Sequence, residues 1–396
     1  MVNKLKLASV VMNGHKTQAK IKDIGTILTG RTPSTSDPNN YSAREICFVK
    51  PSDLLEEKIT TIEDTEFYIS QKARTQSVCV PENSVLVTCI GIVGKIGITT
   101  KEMAFNQQIN AIIPNSGLVS YKYLAYLLSA KRKYLSELAN APVVPILNKT
   151  NFGNITLSLH PLSEQKEIAE RLDKVQELIA LQKEQLKKLD DLIKSRFIDL
   201  FGNPITNPKG WPLKRIGDLF KITSGGTPSR KHSEYFENGD IPWVKTGDLN
   251  TPYLTFTDEY ITELGVQKST AKIFPKGTVL LAMYGATIGA VSILDIEAAT
   301  NQACAAFLPI DSILPIYLYS FLFLQKKRFV SLGVGGAQPN ISGEILKREK
   351  ILCPPLKLQT EFADFVTKIE AQKGLLATRL SHLETLYKSL MQEYFG

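Results

Sequence analysis

Two long segments of the chain carry apolar residues at alternating steps of four and three positions. This spacing places the apolar side chains in one stripe along a helix, as in the seam of a coiled coil. No proline lies within 163–201 or 356–396, so the pattern predicts long helices over residues 161–202 and 355–396. The predicted seam residues are Ile168, Leu172, Val175, Ile179, Leu186, Leu189 and Ile193 in the first helix, and Phe362, Val366, Ile369, Leu376, Leu380, Leu383 and Tyr387 in the second.

Polar residues interrupt both seams near the middle, at Gln182 and Lys373. Polar seam residues reduce stability but can fix the register of a helix pair. A helix over 163–201 would be about 58 Å long, at about 1.5 Å per residue. The alternative is an amphipathic helix that packs on its own domain. A pair of helices is favoured because one small domain cannot cover so long a stripe.

A region rich in short apolar runs precedes each long helix. Residues 78–98 and 271–294 are rich in Val, Ile, Thr and Gly, which predicts strands joined by tight turns. The uncharged stretch 278–294 is shorter than the roughly 20 apolar residues of a membrane span, so we interpret it as buried strands. Residues 121–138 and 316–332 form helical patches. The predicted fold class is α+β.

The two halves of the chain repeat each other at an offset of 194 or 195 residues. IKDIGTILTGRTPS at 21–34 aligns with IGDLFKITSGGTPS at 216–229, and ICFVKPSDL at 46–54 aligns with IPWVKTGDL at 241–249. A match at one offset along most of the chain indicates a duplicated unit. The predicted organisation is a first domain at 1–160, a helical spacer at 161–202, a linker at 203–210, a second domain at 211–354 and a C-terminal helical spacer at 355–396.

The net charge of +8 lies mainly in the two predicted domains. Residues 1–162 carry +6 and residues 202–355 carry +3, whereas the helical segments are nearly neutral. This distribution suits two surfaces that face a polyanion such as DNA, although a mildly basic protein without such a partner has the same charge. Five cysteines without a CxxC spacing favour reduced thiols and a cytoplasmic location.

Known catalytic motifs are incomplete in this sequence. An amino-methylating enzyme needs an Asn/Asp-Pro-Pro-Tyr/Phe loop, and the nearest string is Cys-Pro-Pro-Leu at 353–356. GIVGKIG at 91–97 lacks the first glycine and the hydroxyl of a phosphate-binding loop. The four histidines form no metal-binding pattern. We therefore expect neither a catalytic site nor a metal site in this chain.

The duplicated unit resembles the specificity subunits of type I restriction–modification enzymes. The resemblance covers essentially the whole chain. It rests on IGDLFKITSGGTPS at 216–229, IPWVKTGDL at 241–249, NQAC at 301–304, and the Pro-Leu-x-x-Gln string that begins each long helix at 161 and 355. The first copy departs from this pattern at Arg31, where the second copy has glycine, and at Cys47-Phe48, where the second copy has Pro-Trp.

The resemblance implies a subunit that recognises DNA and is not itself catalytic. Each domain would be a target recognition domain that reads one half of a split site on double-stranded DNA, with the two helices paired antiparallel as a spacer. Two modification subunits that bind S-adenosylmethionine would methylate adenine. Two restriction subunits that use ATP and Mg would translocate and cleave DNA. No membrane partner and no cofactor in this subunit are implied.

Features that both copies share cannot distinguish two different half-sites if both domains bind DNA in the same pose. The two copies diverge most at 34–45 against 229–240 and at 66–77 against 259–270. We therefore assign the shared residues to the fold or to DNA-backbone contacts, and the residues of these divergent regions to base readout. The shared candidates are Thr32, Ser34, Lys50, Asn106 and Gln107, with Thr227, Ser229, Lys245, Asn301 and Gln302. The base-readout candidates are Arg44, Lys72, Arg74 and Gln76 in the first domain, and Arg230, Lys231, His232, Gln267 and Lys268 in the second.

Two other classes of function stay open at the level of the sequence. The chain could be a coiled-coil scaffold that binds proteins and no specific DNA. A self-contained nuclease or methylase would instead show activity from this chain alone, and the incomplete motifs argue against it.

Overall fold

The computed structural model describes residues 12–13, 16–139, 145–333 and 339–396. The chain forms two compact units, Met1–Leu181 with Arg379–Gly396, and Gln182–Thr378. Each unit contains the strands and short helices of one repeat together with segments of both long helices. No helix among the described residues is long and apolar enough to cross a membrane.

The described strands of the first unit form three sheets. Their orders are β1-β2-β12, β6-β4-β10-β7 and β3-β11-β8-β9-β5. The strands are β1 (Met12–Asn13), β2 (Lys16–Lys20), β3 (Gly25–Thr29), β4 (Ile46–Val49), β5 (Thr60–Ile62), β6 (Tyr68–Ile69), β7 (Cys79–Val80), β8 (Val85–Thr88), β9 (Ile96–Thr99), β10 (Met103–Phe105), β11 (Ile109–Pro114) and β12 (Thr156–Leu159).

The second unit repeats this arrangement strand for strand in its two larger sheets. Their orders are β14-β22-β19-β20-β16 and β17-β15-β21-β18, and a two-stranded sheet pairs β13 with β23. The strands are β13 (Leu213–Arg215), β14 (Ile222–Ser224), β15 (Ile241–Val244), β16 (Tyr253–Leu254), β17 (Tyr260–Ile261), β18 (Ile273–Phe274), β19 (Val279–Ala282), β20 (Val291–Leu294), β21 (Ala298–Thr300), β22 (Cys304–Phe307) and β23 (Lys350–Leu352). The uncharged stretch at 278–294 therefore contains two buried strands, as predicted.

The helices also follow the repeat. The two predicted helical patches each break once, at Lys131 and at Gln325, so each becomes two helices. The helices are α1 (Ile21–Ile24), α2 (Tyr121–Ala130), α3 (Arg132–Leu138), α4 (Lys149–Asn154), α5 (Leu162–Phe201), α6 (Ile216–Leu219), α7 (Glu263–Gln267), α8 (Pro315–Leu324), α9 (Lys326–Leu332), α10 (Gly343–Arg348) and α11 (Leu356–Phe395). The helices α5 and α11 are the two long helices that the alternating apolar pattern predicted.

The long helices run antiparallel within each unit. In the first unit, Arg171 contacts Tyr394 and Gln176 contacts Tyr387, so the numbers rise along α5 and fall along α11. In the second unit, Asp190 pairs with Lys373 at 2.7 Å and Arg196 pairs with Glu361, which gives the same opposite order. Every predicted seam position is buried or half-buried. Lys373 sits in its seam as part of an ion pair, whereas Oε1 of Gln182 is buried without a hydrogen-bond partner among the described residues.

Each globular core is completed by the end of a helix from the other repeat. In the first unit, Phe395 at the end of α11 packs against Tyr123 with ring centroids 5.4 Å apart. In the second, Phe197 at the end of α5 stacks on Tyr317 at 5.5 Å. The sequence showed that aromatic residues end both helices, but it did not show which core they join.

Candidate DNA-recognition site

The repeated Gly-x-Thr-Pro-Ser turn contacts the repeated Asn-Gln pair in the same way in both units. Thr32 donates a 2.6 Å hydrogen bond to Oε1 of Gln107, and Thr227 donates a 2.5 Å hydrogen bond to Oε1 of Gln302. The glycine of each turn lets the two segments approach. A Cβ atom on Gly30 would lie 2.1 Å from the carbonyl oxygen of Asn106. The two shared motifs therefore contact each other, which could not be predicted from sequence alone.

The asparagines of these pairs hold the turns that follow them. Asn106 is buried, its backbone amide donates to Val49, and its Oδ1 accepts a 3.1 Å hydrogen bond from the backbone of Gln108. Asn301 makes the equivalent bonds to Val244 and Ala303. Because these side chains are used within the fold, they support a structural role rather than base readout.

The first copy departs from the repeated pattern at Arg31. Its side chain connects the turn to the divergent segment, whereas in the second unit the backbone of that segment lies directly against the turn. The Arg31 side chain donates to the carbonyl oxygens of Gln76, at 2.7 Å, and Thr75, at 3.2 Å. At the aligned position, a Cβ on Gly226 would lie 2.6 Å from the carbonyl carbon of Thr270 and 2.8 Å from the backbone nitrogen of Ala271. The divergent segment thus lies against the turn in the second unit and is tied to it by a side chain in the first.

Lys50 and Lys245 share a backbone arrangement but differ in what surrounds the ammonium group. An aspartate three residues later accepts from the backbone amide of each lysine, at 2.7 Å in both units. The ammonium of Lys50 lies over the ring of Phe67, 3.0 Å from its centroid. The ammonium of Lys245 instead contacts the carboxylate of Glu259.

The first unit places its base-readout candidates on the surface, with side-chain partners. Arg44 lies over the ring of Tyr68 at 4.1 Å, and Lys72 pairs with Asp37 at 3.6 Å. Arg74 pairs with Glu102 at 2.6 Å, and the pairing raises the pKa of the guanidinium. Gln76 is half-buried and exchanges two amide hydrogen bonds with the buried Asn40, so it is the least accessible of the four.

The second unit groups Arg230 with Lys245 around one carboxylate. Both cations contact Glu259, and these contacts, with that of Lys245 the larger, hold the pKa of the carboxyl below its usual value. The guanidinium of Arg230 also lies 4.5 Å from the ring of Phe236 and 5.3 Å from that of Trp243. The fold therefore brings Arg230, a candidate for base readout, next to Lys245, a candidate for contact with the DNA backbone.

The remaining candidates are exposed. His232 lies 3.0 Å from Glu234 and stacks on Tyr235, while Ser34 exchanges a hydrogen bond with Ser36. Among the described residues, no side-chain hydrogen bond or ion pair is formed by Ser229, Lys231, Gln267 and Lys268.

Sequence reasoning missed the carboxylates that orient these cations. Glu259, Glu102 and Asp37 each hold a candidate side chain in place. The position of Glu259 in a divergent region could have marked it as a candidate. Its two partners are 14 and 29 residues away in sequence, so the contacts could not be predicted from local pattern. No group of three or more potential metal ligands occurs among the described residues.

Comparison with known proteins decides the family. The model for the type I restriction modification DNA specificity domain matches this chain twice, over residues 15–191 and 208–385. The chain belongs to this family. It is a recognition subunit that acts on DNA with the other components of a restriction–modification complex, and not the catalytic component.

Individual relatives agree with this assignment. The chain is 27% identical over 378 residues to the type I restriction enzyme MjaIX specificity subunit of Methanocaldococcus jannaschii, covering 88% of this chain and 85% of that protein. It is 26% identical to the MjaVIII specificity subunit of the same organism over 81% of this chain and 80% of that protein. The crystal structure of the S subunit from M. genitalium shares the fold, with a TM-score of 0.63 at 14% identity over 100% of this chain and 99% of that one.

Proposed function

We propose that this recognition subunit reads a bipartite site on double-stranded DNA, one half with each domain. The domains are assigned to residues 1–160 and 211–354, and the helical spacers to 161–202 and 355–396. The observation that carries the proposal is a difference between the residues that both copies share and those of the divergent regions. The shared turn residues bond to each other within each unit, whereas the divergent regions present exposed cations and amides.

The proposed base readers are the exposed members of the divergent regions. An arginine that is held flat by a carboxylate or a ring can present its remaining N–H groups to a guanine edge. Arg74 and Arg230 have this support from Glu102 and from Phe236. Lys50 and Lys245 are assigned to phosphates, because a compact ammonium suits a phosphate as a point charge.

The remaining assignments concern the other subunits of the restriction–modification complex. Two modification subunits that bind S-adenosylmethionine and two restriction subunits that use ATP and Mg would dock on this chain in the cytoplasm. Support comes from the family and from the relatives named as type I restriction enzyme specificity subunits.

Mapping methylated adenines across the genome, with and without this gene, tests the proposal. Loss of methylation at one split motif is the expected result, and it would reveal both half-sites and their spacing. An unchanged pattern in cells that express the modification subunit requires a second measurement. If the reconstituted complex then binds no DNA sequence specifically, the proposed bipartite readout is wrong.

A further inference from the structure

The second unit contains a cavity of about 350 Å³ that the recognition of DNA does not explain. It lies between helix α8, the parts of α5 and α11 that belong to this unit, and the loop at 250–252. Its walls include Asp190, Phe197, Pro252, Ser320, Phe323 and Glu370. A cavity of about 150 Å³ is large enough to bind benzene, so this one has room for a substituted ring.

One wall of the cavity carries a buried hydroxyl without a partner. Ser320 is 5% exposed, and its Oγ makes no hydrogen bond with any described residue. A buried polar atom that stays unpaired destabilises the fold, so its presence requires an explanation. A ligand with a polar group near the helix would supply the missing hydrogen bond.

The first unit shows what occupies the equivalent position there. Helices α2 and α8 both have ten residues, and the buried Tyr123 and Tyr317 stand at the same place in each. In this alignment Tyr126 corresponds to Ser320. Tyr126 is 3% exposed and donates a 2.7 Å hydrogen bond from its phenol to Asp173 on α5. The first unit therefore fills this position with its own phenol ring.

The charged residues that surround this phenol in the first unit are not repeated in the second. Lys122, which pairs with Asp173 at 2.5 Å, is replaced by Ile316, and Asp173 is replaced by Thr367. Aromatic rings stand at the cavity instead. Tyr319 and Phe323 stack with centroids 5.8 Å apart, and Phe323 is 40% exposed, so the cavity opens to the surface.

A polar wall faces these rings. Lys373 pairs with Asp190 at 2.7 Å and with Glu370 at 2.8 Å, and all three residues line the cavity. Apolar walls with a few convergent polar groups are characteristic of ligand sites. The combination suits a planar ring with one hydroxyl, which could stack on Phe323 and hydrogen-bond to Ser320 or to a carboxylate.

We propose that this cavity binds the phenol ring of a tyrosine side chain that another subunit of the complex presents, in the position that Tyr126 fills in the first unit. The protein source of the ring rests on the proposed function, in which other subunits dock on this chain. The two units then differ in how they meet their partners, because only the second accepts a ring from outside.

The first test uses p-cresol, the side-chain analogue of tyrosine, and the full chain. Ligand-observed NMR should show saturable binding with a dissociation constant on the order of 1 mM, as expected for so small a ligand. Ser320→Tyr should abolish binding by filling the cavity from within. Ser331→Tyr is the matched control, since it adds the same ring at an exposed position of α9, and binding should persist. Tyr126→Ser should add a second site. No binding to the wild-type chain, or binding that Ser320→Tyr leaves intact, would overturn the proposal.

The second test identifies the source of the ring. The modification and restriction subunits are produced with wild type, Ser320→Tyr or Ser331→Tyr, and the affinity of assembly is measured. A loss of at least tenfold for Ser320→Tyr alone is expected. Unchanged assembly of Ser320→Tyr would overturn a protein ligand even if p-cresol binds. A wild-type complex that assembles but binds all DNA sequences equally would instead refute the proposed function. The p-cresol result would not be affected.

Discussion

The side-chain amide of Gln165 accepts a 2.9 Å hydrogen bond from the backbone N–H of Ser120, across 45 residues of sequence. Its Nε2 donates to the carbonyl oxygens of Leu118 and His160. Gln359 makes the same three kinds of bond in the second unit, beginning with the N–H of Leu314 at 2.9 Å. The Pro-Leu-x-x-Gln string thus anchors the start of each long helix to its own domain.

Replacing Gln165 by leucine should cost about 3 kcal/mol of unfolding free energy, because it leaves three backbone groups without their partner. Urea unfolding of the full chain measures the loss. Gln176→Leu is the control, since Gln176 is half-buried in the same helix and, among the described residues, its side chain hydrogen-bonds only to Tyr387. Equal losses for the two variants would show that the anchor has no special role.

Gly30 and Gly225 should not tolerate a side chain. A Cβ on Gly225 would lie 1.9 Å from the carbonyl oxygen of Thr300, and backbone must move to relieve such a contact. We expect Gly225→Ala to destabilise the chain by more than about 3 kcal/mol, in the range of severe core overpacking. Gly247→Ala is the control because, apart from its neighbours in the chain, no atom of the described residues lies within 4 Å of a Cβ placed there. Thermal unfolding compares the two, and similar midpoints would contradict the prediction.

The features that sequence predicted are those set by local pattern or by repetition. Alternating steps of four and three gave α5 and α11, and duplication gave the matching sheet orders. The features it missed depend on contacts between distant segments. Nothing local directs Phe395 to the first core or Phe197 to the second, and nothing local pairs Glu259 with both Arg230 and Lys245. The base-readout residues stay predictions for the same reason, since loop geometry in the complex decides which bases they reach.

Lys50 and Lys245 should contribute unequally to DNA binding by the reconstituted complex. Lys50→Ala should weaken binding to all sequences and reduce the salt slope by about 1, as expected when one phosphate contact is lost. Lys245→Ala should have a smaller effect because Glu259 already neutralises that ammonium. Glu259→Gln should therefore raise affinity. Binding titrations at several salt concentrations measure the slopes, and equal slopes for both alanine variants would contradict this assignment.

His160 should make the first unit less stable as the pH falls. Burial, and secondly the charge of Lys16, lower the pKa of the imidazole, whose Nδ1 lies 2.8 Å from the phenol of Tyr123. The unfolded chain binds a proton near pH 6.5 while the folded chain does not, so stability decreases as the pH falls through that value. His160→Gln should reduce this decrease. Urea midpoints at pH 7.5 and 6.0 give the comparison, and an equal decrease in both proteins would exclude His160 as its source.

Arg74→Ala should change which bases the first half-site requires. Glu102 holds the guanidinium from one side at 2.6 Å and 3.3 Å, which leaves other N–H groups to face a base edge. A good bidentate contact provides about 1–3 kcal/mol of discrimination, so one position of the half-site should become permissive. Selection of bound sequences from a random pool by the reconstituted complex measures this. Lys58→Ala is the control, because Lys58 is an exposed cation outside both divergent regions. If Arg74→Ala instead lowers affinity equally for every sequence, Arg74 contacts the DNA backbone and the bases are read elsewhere.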